Sequence, residues 1–94
     1  DHLSEEEERL LRHCLTKYAP RLLEKVPLLD KGLAGVDAVN DMRSAIGAEF
    51  GSQGLGADSE PNEYGFQLER LIERLADLYI WPYEKKRKPW WRFW

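Results

Sequence analysis

His13 stands beside Cys14, and a thiol with an imidazole is the smallest set that makes a nucleophilic cysteine. Neighbours on a helix point about 100° apart, so neither side chain activates the other. The pair reads as a buried small hydrophobe next to a half-exposed imidazole. Asp58, Glu60, Asn62 and Glu69 fall where a twelve-residue calcium loop wants oxygen ligands. Glu63, however, stands where that loop needs glycine, Pro61 stiffens it, and glycines precede it in place of a helix. These acids fit the start of a helix better, where the positive end of the dipole favours carboxylates. The chain carries no phosphate loop, nucleophile elbow or metal-spaced histidine pair. The expectation is a chain with no catalytic set, no metal and no cofactor.

Charge spacing gives a different kind of candidate. Glu69 and Glu73 are acids at i,i+4, and Arg70 and Arg74 are bases at the same spacing, so one helix carries two like-charge stripes. Each such pair costs about 0.2–0.5 kcal/mol within the helix and is relieved by opposite charge elsewhere in the chain or in a partner. A solvated face, with Arg70 paired to Glu73 and Arg74 to Asp77, is the competing reading. Glu69, Arg70, Glu73 and Arg74 are therefore candidate partner contacts.

The C-terminal residues are the most unusual. Trp81, Trp90, Trp91 and Trp94 are all the tryptophans of the chain, and the last three are interleaved with Lys85, Lys86, Arg87, Lys88 and Arg92. The run Lys88-Pro89-Trp90-Trp91-Arg92-Phe93-Trp94 resembles the tryptophan- and proline-rich cationic host-defence peptides. That resemblance implies indoles set at the lipid headgroup level with cations against anionic lipid. Stacking on single-stranded nucleic acid is a second use of such residues, worth roughly 1–3 kcal/mol per base, but the acidic body opposes it. In a third, the indoles cover the protein's own body while the bases face its acids. Trp90, Trp91 and Trp94 join the candidate contacts.

The elements that must position these residues follow from spacing. Ser4 and Glu7 form a capping box, so a helix starts near residue 5. Its stripe of Leu11, Leu15, Tyr18 and Leu22 is interrupted by Pro20, which predicts a helix to about Tyr18 and a kink or restart to about Val26. Pro27 and Asp30-Lys31-Gly32 close that segment. Leu33, Val36, Val39, Met42, Ile46 and Phe50 make one helical face, with Asp30 or Asp37 as its cap and with Gly47 and Gly51 predicting fraying. Residues 51–58 read as a loop. Ser59, Pro61 and the neighbouring acids predict a helix start, and Tyr64, Leu68, Leu71, Leu75 and Leu78 supply its core face until Pro82. The fold class is all-α, a small three- or four-helix bundle, with the aromatic, basic tail packed on it or extending from it.

Composition bounds the rest. The 94 residues suit one domain, with 43% apolar and 33% charged residues. A core of this size leaves little material to line a deep cleft, which favours a broad binding face. Net charge is -3, divided between an acidic helical body, residues 1–83, at -7 and a basic tail, residues 84–94, at +4. A single cysteine excludes an internal disulfide and a cysteine zinc cage. A reducing cytoplasm fits that usage, and no secretion signal or membrane-spanning run is read. The leading expectation is a non-enzymatic, acidic protein-binding domain for a protein partner, preferentially a basic one. It matches immunity or antitoxin-like proteins in size and charge alone. The alternative is a peripheral membrane protein anchored by the tail, and nucleic acid is not the expected partner.

Overall fold

The computed structural model describes residues 2–56 and 60–81. They form helix α1 (Glu5–Tyr18), a 3₁₀ segment (Pro20–Leu28), helix α2 (Val36–Gln53) and helix α3 (Glu63–Tyr79), with no strand among the described residues. Helix α2 is the central element, packed against both α1 and α3.

Helix α1 begins as its sequence demands. The Glu7 amide donates to Ser4 Oγ at 3.2 Å and the Ser4 amide donates to Glu7 Oε1 at 2.9 Å, so two otherwise orphaned donors are satisfied reciprocally. Glu8 and Arg12 pair at 3.1 Å one turn apart. Leu11, Cys14 and Leu15 turn inward. The helix ends before Pro20, which opens the 3₁₀ segment at the position where a missing amide does no harm. That segment buries Leu22 and Val26 and runs to Leu28, so Pro27 lies inside it and does not close it. A 3₁₀ run with short-range bonds loses less to one absent amide than an α-helix does.

The second helical face is shorter at its start than its apolar spacing suggests. Gly35 has φ +88°, a left-handed conformation that cannot continue a right-handed helix, so α2 starts at Val36 and Leu33 is left 66% exposed. Neither proposed cap acts as one: Gly35 occupies the cap position, Asp37 lies in the first turn, and Asp30 accepts from the Tyr79 hydroxyl at 2.9 Å. Val39, Met42, Ala45 and Ile46 are buried. Burial of that face carries the helix through Gly47 and Gly51 to Gln53, overriding their low propensity.

Asn62 caps α3, with Oδ1 accepting from the Gly65 amide at 2.7 Å, while Asn62 Nδ2 donates to the Gln53 carbonyl at 3.2 Å. Pro61 therefore stands outside the helix, bridged to Leu55. Ser59, the cap proposed from sequence, lies outside the described residues. The same turn brings Gly54 and Gly65 together so closely that a Cβ on Gly65 would overlap the Gly54 carbonyl. Leu68, Leu71, Leu75 and Ala76 complete the core with the α1 and α2 residues. No helix among the described residues is long and apolar enough to cross a membrane.

Candidate functional site

The side of α3 turned away from the core carries Phe66, Glu69, Arg70, Glu73 and Asp77, all exposed. Phe66, Arg70, Glu73 and Asp77 recur at intervals of 4, 3 and 4, the spacing of one helical line. Glu69 flanks that line. Phe66 is 58% exposed, and Trp81, just past the end of α3, is 47% exposed. This is an outward ridge with three carboxylates, one guanidinium and an aromatic ring at its N-terminal end. Three of the four body residues proposed from charge spacing, Glu69, Arg70 and Glu73, share this face.

Arg74 is placed differently. Its side chain is turned to the flank of α3, where Nε donates to Glu7 Oε2 at 3.0 Å and Nη2 donates to the His2 carbonyl at 3.1 Å. The guanidinium is thus engaged with α1 and with the residues preceding it. Burial raises the Glu7 carboxyl, but bonds from Ser4 and the charge and bonds of Arg74 outweigh it and leave the group below its ordinary value. The acids of one helix and the base of another relieve each other inside the molecule. Trp90, Trp91 and Trp94, and with them the proposed tail contacts, lie outside the described residues.

A second constellation centres on an acid that sequence does not single out, with His13 at its edge. Glu49, on α2, is 1% exposed. Its Oε1 accepts from Lys17 Nζ at 2.8 Å and from the Tyr18 hydroxyl at 3.0 Å, while Oε2 accepts from the Tyr64 hydroxyl at 2.6 Å. His13 Nε2 stands 3.4 Å from Oε2. One buried carboxylate therefore joins α1, α2 and α3, and each side-chain donor comes from the surface towards it. Burial pushes the Glu49 carboxyl up, yet the bonds from Lys17, Tyr64 and Tyr18 prevail and hold it at about 2. Burial and the Glu49 bond push the Tyr64 phenol upward.

This geometry sets what the groups can do. A carboxylate held at about 2 is a poor proton acceptor at neutral pH, because its basicity is spent on fixed donors. Cys14, buried beneath the cluster, is raised to about 11 by burial and by the Glu49 charge, so its thiol stays protonated. His13 points to Glu49 and Cys14 to the core, as their adjacent positions on α1 require. Among the proposed calcium ligands, Asn62 Oδ1 is committed to capping α3, and Asp58 lies outside the described residues. The described residues contain no group of three or more histidine, cysteine, aspartate or glutamate side chains placed to hold a metal ion. The cluster is built as a fastening for the helices that present the α3 ridge. Comparisons with protein-family models, with curated proteins and with solved structures give no match, so the functional reading rests on these residues alone.

Proposed function

We propose that the chain is a non-enzymatic protein-binding domain whose contact surface is the outer ridge of α3, receiving a basic segment of a partner protein. The observation that carries this reading is Phe66, a large ring left mostly in water on a helix line that is otherwise charged. Aromatic rings are common energetic anchors of interfaces, and surrounding charges choose the partner and speed encounter more than they add affinity. Burying a phenylalanine side chain is worth about 1.5–3 kcal/mol, which corresponds to roughly tenfold or more in affinity. Glu69, Glu73 and Asp77 then favour a cationic partner, and Arg70 fixes register against one of its acids. The acidic body extends that preference beyond the ridge.

Capture from native lysate by the full chain tests the reading when native protein is compared with Phe66→Ala and Glu73→Lys. The expected result is a protein retained by the native chain, lost in both variants and released as salt rises. Equal retention by all three proteins contradicts it.

A further inference from the structure

Helix α3 ends beside an apolar groove of about 240 Å³, walled by Leu29, Ala34, Gly35, Val36, Val39 and Tyr79. Small-molecule sites usually run from about 300 to 1,000 Å³, so this groove is sized for one large side chain and not for a cofactor. Leu33, 66% exposed, sits in the loop that forms its rim. Gly35 lines the groove without a side chain of its own. Asp30 holds the Tyr79 hydroxyl on the wall, Asp37 is exposed one residue beyond Val36, and Lys31 is the one base in the same turn. The site asks for an apolar ring with cationic neighbours.

We propose that this groove is the receptor for an indole of the chain's own segment 84–94, supplied by Trp90, Trp91 or Trp94. The chain leaves the groove wall at Tyr79, and Trp90 follows eleven residues later. That length spans roughly 36 Å when extended, ample for a return to the residue it departed from. The segment carries five bases and one acid, which complements a rim with Asp30 and Asp37 against Lys31. An aromatic side chain buries about 150–250 Å² on docking. The inference stands apart from the α3 ridge, since it concerns the free chain without a partner.

Proton NMR on the full chain tests it, with each indole assigned by single Trp→Phe substitution. The expected result is a cross-peak between at least one indole of Trp90, Trp91 and Trp94 and the methyls of Val36 or Val39, unchanged on tenfold dilution. Ala34→Phe, which fills the groove, should abolish that cross-peak. The triple variant Trp90→Ala, Trp91→Ala, Trp94→Ala, which leaves the helices untouched, should shift the amides of Gly32, Gly35, Val36 and Val39 and leave those of α1 in place. Absence of any such cross-peak, or groove amides that ignore the triple variant, overturns the proposal. Cross-peaks that vanish on dilution also overturn it, by assigning the groove to a second copy.

Discussion

The two sides of α3 are made from the same seventeen residues and meet opposite environments. On the inner side, Leu68, Leu71 and Leu75 are buried, Gly65 packs closely on the backbone of Gly54 just past α2, and Tyr64 reaches the carboxylate that joins three helices. On the outer side Phe66, Glu69, Arg70, Glu73 and Asp77 have solvent in front of them. The inner side is fixed by contacts that fail if one group is altered. The outer side packs against nothing in the core, so alteration there should leave the fold intact. Substitutions should separate stability from binding according to side.

The largest losses of stability are expected at Glu49 and at the core leucines of α3. Glu49→Ala leaves the hydroxyls of Tyr18 and Tyr64 and the Lys17 ammonium without their acceptor. Lys17 and Tyr18 reach solvent and can turn to water, so the loss falls mainly on the half-buried Tyr64 hydroxyl; a hydrogen bond to a charged acceptor is worth about 1.5–3 kcal/mol, to be read by chemical denaturation. Leu75→Ala or Leu71→Ala opens a cavity in the core at about 2–5 kcal/mol. A loss below about 0.5 kcal/mol at either leucine, typical of surface positions, would erase the distinction between the two sides. Gly65→Ala forces a methyl group into the Gly54 carbonyl, and overpacking of this kind costs about 1–3 kcal/mol. An unchanged denaturation midpoint would show that α2 and α3 can part there freely.

Acid should act through the same fastening. Glu49 is held at about 2 against an ordinary value of 4.5, so it binds a proton less readily folded than unfolded. Its stabilisation is fully present above the unfolded value and declines as pH falls from about 4.5 towards 2. Glu7, also lowered, adds in the same direction. Denaturation midpoints across that window should fall with decreasing pH in native protein and fall less steeply in Glu49→Gln. Identical slopes would remove Glu49 from the account. The smallest stability effect belongs to the outer side: Phe66→Ala should change stability by no more than about 0.5 kcal/mol.

The inner side of α3 and the start of α1 are legible in the sequence because their signals are local. The Ser4 and Glu7 box spans a single turn, and the leucine stripe of α3 repeats within one helix. Glu49 is not legible. It is a single acid beside Phe50, and its partners Lys17, Tyr18 and Tyr64 lie 32, 31 and 15 residues away. Tertiary packing alone assembles them. Arg74 illustrates the same point, since spacing within α3 pairs it with Asp77 while the fold supplies Glu7, 67 residues away. Leu33 fails for a backbone reason, because apolar periodicity carries no information about the positive φ at Gly35. Three of the four charged residues on the candidate face were found because exposure and charge are both local properties of a helix. Phe66 is not legible, because an aromatic between Tyr64 and Leu68 resembles core until the helix is oriented.

Site-specific photo-crosslinking tests the assignment of the ridge most directly. A photoreactive phenylalanine analogue is placed at Phe66 and, in a separate protein, at Ser44, an exposed position on α2. Both chains should fold as the native one does. The ridge assignment predicts a discrete protein adduct from position 66, suppressed when Glu73→Lys is added, and none from position 44. Adducts of equal yield at both positions, or none at position 66 in cells that contain the partner captured by the native chain, would contradict it.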